Sequence, residues 1–122
     1  MMRAILMLSG LLSLTTISAT GDEHLRMAVS PLMSFAPSNL TIRMRLAASD
    51  ENRTLDIVAE SADFYRSSQI PLEGERAPEV ITVEFRDLPS GEYEVSGVLT
   101  DRAGERRAIA RQRVKVVAAG GE

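Results

Sequence analysis

One histidine, His24, and no cysteine occur in a chain of 122 residues, and these two counts remove most site chemistry at the outset. No thiolate is available for a zinc or iron–sulfur site, a disulfide framework or nucleophilic attack. A Ser–His–Asp or Cys–His arrangement would have to run through His24, which stands near the amino terminus with no nucleophile at a suggestive spacing. The reading is therefore of a chain that is not an enzyme and carries no resident cofactor. His24 does offer chelation. A polypeptide beginning Asp22-Glu23-His24 presents a free amine, two amides that deprotonate and a third-position imidazole, a square-planar donor set for Cu(II) or Ni(II). His24 is the candidate metal ligand on that ground, and a solvated lead-in is the plainer alternative.

The carboxylates Asp50, Glu51, Asp56, Glu60 and Asp63 fall in and around one apolar-alternating segment, without the Asp-x-Asp-x-Asp spacing that makes a calcium loop. They read as a solvated face. Arg102, Arg106, Arg107, Arg111, Arg113 and Lys115 make the C-terminal end basic, and the alternation of Arg111, Arg113 and Lys115 lines one face of a strand. That stripe suits an acidic glycan, a lipid headgroup or a protein partner, but the preferred reading is an edge strand guarded by charge against aggregation. Tyr65 beside Phe64 is the aromatic pair with an exposed character, although core packing is the plainer fate for such a pair; Tyr65, Arg111 and Arg113 are the candidate partner-binding residues. Formal net charge is −3 and aromatic residues make up 4%, which leaves neither the basic excess nor the stacking platforms for nucleic acid.

The elements that position these residues are strands. In Val80-Ile81-Thr82-Val83-Glu84-Phe85-Arg86, apolar and polar side chains alternate, and they do so again in Tyr93-Glu94-Val95-Ser96-Gly97-Val98-Leu99-Thr100. Period-2 alternation marks half-buried strands. The same pattern predicts strands over 25–29, 40–47 and 54–60, a short piece at Met33–Phe35 after the Ser30-Pro31 break, and a last strand over 107–117 with a bulge near Arg111–Gln112. Residues 64–72 read as a strand crossing toward an opposite sheet, and Asp101-Arg102-Ala103-Gly104 as a hairpin turn. No helical period of useful length follows residue 21.

The amino terminus has its own logic. Met1-Met2-Arg3 is a positive start, residues 4–17 are an apolar run too short to span a bilayer comfortably, and Ser18-Ala19-Thr20-Gly21 supplies small residues for cleavage after Ala19 or after Gly21. This reads as a signal peptide over residues 1–21, a domain over 22–117 and a disordered tail over 118–122, with no membrane span once the signal is removed. The expected location is periplasmic or extracellular.

The turn Leu88-Pro89-Ser90-Gly91-Glu92-Tyr93 carries a resemblance. It is similar to the turn of immunoglobulin-like and fibronectin type III-like sandwiches in which a tyrosine opens the penultimate strand and its hydroxyl bonds back to the backbone. The resemblance implies an all-β, antiparallel immunoglobulin-like β-sandwich of about seven strands. It gives Tyr93, Pro89 and Gly91 structural roles, and it points to bacterial modules of exported proteins, since the antibody-type Cys pair and core Trp are missing. A weaker likeness is to periplasmic copper-resistance carriers. It rests on His24-Leu25-Arg26-Met27-Ala28-Val29-Ser30-Pro31 and on Leu88-Pro89-Ser90-Gly91-Glu92-Tyr93-Glu94-Val95, and it departs where Asp101 is followed by no histidine. The two likenesses imply two functions: a binding or structural module of the cell envelope with a protein or glycan partner, or a copper carrier using the mature amino terminus and His24. The sequence is silent on oligomeric state.

Overall fold

The computed structural model describes residues 20–119, with side chains from residue 23 onward. Nine strands follow one another: β1 (Thr20–Asp22), β2 (Leu25–Ser30), β3 (Met33–Phe35), β4 (Ser38–Leu46), β5 (Thr54–Glu60), β6 (Tyr65–Pro71), β7 (Val80–Leu88), β8 (Gly91–Thr100) and β9 (Arg106–Val117). The one helical piece among the described residues is a 3₁₀ turn at Gly74–Arg76, and no described helix is long and apolar enough to cross a membrane. The expected signal peptide lies outside the described residues up to residue 19, and the expected tail does so from residue 120.

The strands form two sheets, in the orders β1-β2-β4-β7 and β3-β9-β8-β5-β6. Pairing is antiparallel except between β3 and β9, which run parallel. The count exceeds the expected seven or so because β1 and β3, three residues each, add a short strand to one edge of each sheet.

Alternation in the sequence becomes burial in the fold. Leu40, Ile42 and Met44 of β4 are fully buried, as are Leu55, Ile57 and Ala59 of β5 and Val95 and Leu99 of β8. Each large aliphatic chain so covered stabilises the fold by about 1.5–3 kcal/mol relative to exposure. The two layers face each other closely. A Cβ added at Gly97 on β8 would lie 2.5 Å from Met44 Cε on β4, so the end of the Met44 side chain fills the space that glycine leaves between the sheets. A second constraint ties the loops at one end. Asn52, 1% exposed, donates from Nδ2 to the Ala47 carbonyl at 3.0 Å, and its own carbonyl accepts the Gly74 amide at 3.0 Å. The chain can close this way because Gly74 sits at φ +58°, the left-handed region that glycine enters without strain.

Two expected features differ from what is observed. Residues 65–71 do not cross to the opposite sheet but pair with β5 in the same sheet, from Glu60↔Tyr65 to Thr54↔Pro71. The crossing falls in residues 72–79, around the 3₁₀ turn, because Leu72 is buried as an anchor before the chain leaves. The expected bulge at Arg111–Gln112 is absent: β8 and β9 keep register from Gly91↔Val116 to Leu99↔Ala108, and the shift comes at Leu99/Thr100. Gln112 stays on the inward face, half-buried, and its amide nitrogen donates to the Arg113 carbonyl at 3.1 Å.

Candidate functional site: the outer face of the five-stranded sheet

Tyr65 pairs with Glu60, Glu60 with Glu94, and Glu94 with Arg113. These partners sit directly opposite one another, so the four side chains form one transverse row across β6, β5, β8 and β9. Period 2 sends all four to the outer face, because their neighbours Ala59, Val95 and Val114 point into the core. Arg111, two residues back on β9, joins the same face with Nε 4.0 Å from Glu94 Oε2. Glu92 lies opposite Lys115 in the next row. Tyr65, far from Arg111 and Arg113 in the chain, therefore shares a surface with them and stands at one end of it, 61% exposed.

That surface carries both signs of charge. Across the β8–β9 ladder Arg113 is opposed by Glu94 and Lys115 by Glu92, while Arg111 stands opposite Ser96 and reaches Glu94 diagonally. The Arg111–Glu94 pair is more than half exposed on both sides. Such a pair contributes no more than about 1 kcal/mol and yields readily to a competing partner. A cavity of about 560 Å³ opens beside the row, lined by Leu32, Glu60, Ser61, Glu92, Glu94, Arg113 and Lys115 among others. Next to it Leu32, Met33 and Phe35 are exposed at 44%, 66% and 69%. This apolar margin was not foreseen from the sequence. β3 looks there like a short interrupted strand, and its exposure follows only from its place at the sheet edge, held by Lys115 N–H donating to the Leu32 carbonyl at 2.9 Å.

Tyr93 lies beneath this site. Its Oη donates to the Pro89 carbonyl at 2.7 Å, and its ring meets Phe64 edge-on with centroids 6.3 Å apart. Arg66 stands 5.2 Å above the Phe64 ring and donates from Nη1 to the Arg86 carbonyl at 3.1 Å, which links β6 to β7 of the other sheet. Burial pushes the Tyr93 phenol above its ordinary value of 10.0, with a hydrogen bond to Ser61 and the Arg66 charge pulling the other way. Gly91 opens β8 half-buried, and a Cβ there would meet the Ser61 side chain at 3.2 Å.

The other candidates fall elsewhere. His24 is half-buried in the turn between β1 and β2, where its carbonyl accepts the Ala47 amide at 3.0 Å. A shallow cleft of about 200 Å³ nearby is lined by Glu23, Arg26, Arg45, Leu46, Ala47 and Glu79. Among the described residues no three of His, Cys, Asp and Glu converge as a metal would require. Asp101 is committed to its own turn, its Oδ1 accepting the amides of Ala103 and Glu105 at 2.9 Å each. Met27 and Met44 are core residues, and Met33 is exposed on β3. Asp50 and Glu51 engage Arg102 at 3.4 and 3.5 Å on the surface. Cleavage after Ala19 would leave β1 whole. Cleavage after Gly21 would leave only Asp22 of it and would free the amine that chelation through His24 needs.

No family model and no curated protein matches the chain. Among solved structures, it is similar to superoxide reductase (neelaredoxin) from Ignicoccus hospitalis, with TM-score 0.60 and 13% identity over 80% of this chain and 82% of that one. It is also similar to the soluble domain of PmoD from Methylocystis sp. ATCC 49242 (Rockwell), with TM-score 0.54 and 10% identity over 80% of this chain and 96% of that one. A third likeness, to a family 76 glycoside hydrolase from Bacteroides thetaiotaomicron, has TM-score 0.52 and 12% identity and takes in 83% of this chain but 21% of that one. At such identities the likeness is one of fold. It corrects the expectation that the chain is not an enzyme. A superoxide reductase is an enzyme, and this chain shares its fold over four-fifths of its length, so the strand architecture does not mark the chain as non-catalytic.

Proposed function

We propose that the chain is an exported immunoglobulin-like binding module of the cell envelope whose recognition surface is the outer face of the five-stranded sheet. The observation that carries this reading is the convergence of Tyr65, Glu60, Glu94 and Arg113 in one row, with Arg111 beside it. A mixed-charge face with an exposed aromatic at one end and an apolar margin at the other suits a protein or glycan partner better than a uniformly acidic one. The immunoglobulin-like assignment is supported by a first strand divided between the sheets, as β2 and β3, and by the Tyr93–Pro89 bond at the turn before β8. Export is supported by the positive, apolar and small-residue succession of residues 1–21. The test is capture from envelope extract with immobilised protein. Tyr65→Ala and Arg113→Glu lose the captured partner and Arg76→Ala, on the 3₁₀ turn, keeps it; equal capture by all of them refutes the reading.

A second reading, metal binding at the mature amino terminus and His24, is favoured by the fold shared with a superoxide reductase and the PmoD soluble domain, together with the third-position spacing that cleavage after Gly21 would create. Intact mass of the exported protein and a Cu(II) titration followed by visible absorbance decide it. Identical spectra for wild type and His24→Ala remove it.

A further inference from the structure

Three arginines gather on the outer face of the four-stranded sheet, where register sets the side chains in a grid. Arg26 stands opposite Arg45, which stands opposite Val80. Ala28, Arg43 and Thr82 form the next row, and Ser30, Thr41 and Glu84 the row after that. These residues point outward, because those alternating with them pack inward, Met27, Val29, Ile42 and Met44 among them. Residues directly opposed on neighbouring strands lie about 5 Å apart, and Arg43 lies about 7 Å along β4 from Arg45. Arg26, Arg43 and Arg45, all exposed, are therefore mutual neighbours.

Among the described residues no carboxylate stands opposite any of the three. Arg26 has Gly21 on its other side, and Arg43 lies between Ala28 and Thr82. Glu84, diagonal to Arg43, is held by Arg86 at 3.0 Å. Glu23 and Glu79 line the cleft of about 200 Å³ together with Arg26 and Arg45, yet no ion pair among the described residues joins them. Like charges directly opposite one another in a sheet are destabilising, so Arg26 against Arg45 weakens the fold. Two plainer roles for these charges do not fit. Charge guards the edge of a sheet, but β2 and β4 are the two inner strands of theirs. Charge keeps a protein soluble, but the formal net charge is −3, and a basic cluster offsets the excess that does so.

We propose that this face binds a glycan bearing sulfate or phosphate esters, held by Arg26, Arg43 and Arg45. Charge complementarity selects an anion. Three guanidinium groups within reach of one point suit a group with three acceptor oxygens, which such esters have and a carboxylate lacks. The surroundings select a glycan. The hydroxyls of Ser30, Thr41 and Thr82 border the arginines and can exchange hydrogen bonds with sugar hydroxyls. Nucleic-acid bases would need an aromatic platform, and a bilayer an apolar wedge. Among the described residues the large hydrophobic side chain exposed on this face is Val80, at its corner, 40% exposed. The site lies on the other sheet from the row that joins Tyr65 to Arg113, so it does not depend on that row binding a partner.

The test is binding of the purified protein to labelled dextran sulfate, followed by fluorescence anisotropy. Carboxymethyl dextran, phosphatidylglycerol vesicles, a thymidine oligonucleotide and inorganic sulfate are the comparison ligands, at equal anion concentration. Dextran sulfate is expected to bind tightest, to weaken as salt rises, and to raise the protein's thermal midpoint. Arg43→Gln and Arg45→Gln each weaken binding roughly 5-fold, and the double variant roughly 25-fold. Arg102→Gln, which removes the same charge from an ion-paired position in the turn between β8 and β9, leaves it unchanged. Without ligand, Arg45→Gln raises the thermal midpoint by about 1–5 °C, because it ends the repulsion from Arg26. Equal or tighter binding of any comparison ligand, or binding untouched by the arginine variants, overturns the proposal. So does a midpoint that falls in Arg45→Gln, which would make that arginine a structural member of the sheet.

Discussion

Replacing Tyr93 by Phe removes one atom and leaves the rest of its environment standing. The ring keeps its edge-on contact with Phe64 at 6.3 Å and its place in the core, where the tyrosine is 1% exposed. What disappears is the 2.7 Å bond from Oη to the Pro89 carbonyl. A net hydrogen bond contributes about 0.5–1.5 kcal/mol, and a buried acceptor left without its donor adds desolvation to the loss. Pro89 itself is exposed, so water reaches part of that carbonyl and the penalty stays small. The expected destabilisation is therefore about 1–2 kcal/mol. For a domain of this size that lowers the melting midpoint by roughly 4–15 °C. Urea unfolding followed by circular dichroism measures it, with an unchanged m-value showing that the native state is otherwise preserved. A loss below about 0.5 kcal/mol would refute the idea that this bond closes the turn into β8. Tyr93→Ala, which empties the ring's volume, is expected to cost about 3–5 kcal/mol and sets the scale.

The same side chain sets a pH dependence. Burial raises the Tyr93 phenol above 10.0 in the folded state, so as pH climbs through that value the unfolded chain releases its proton first and stability falls. Thermal midpoints measured through that range should drop more steeply for wild type than for Tyr93→Phe. Gly97→Val forces a branched side chain against Met44 across the inter-sheet gap and is expected to destabilise by about 1–3 kcal/mol in urea unfolding, as overpacking does. Gly74→Ala combines a φ of +58° with a Cβ 3.1 Å from Arg53 Nη1 and 3.3 Å from Asp50 Cα, for an expected loss of about 1–3 kcal/mol by the same assay.

Local alternation was enough to read the all-β class, the inward faces and most strand limits, because a side chain's face is settled by its immediate neighbours in a period of two. Leu40, Ile42 and Met44 are buried for the reason their spacing suggests, and Met33–Phe35 forms the short strand expected of it. Which strands lie side by side is a different kind of fact. β3 beside β9, and β6 beside β5 rather than across the sandwich, are pairings between segments whose own patterns are satisfied by several neighbours. The choice is made by which arrangement buries the whole core at once. For that reason the residues Tyr65, Arg111 and Arg113 could be named from the chain, while the row that joins Tyr65 to Arg113 through Glu60 and Glu94 belongs to the tertiary structure. The place of β6 at the edge of its sheet among the described residues belongs to it too, since no residue within that strand specifies its neighbours.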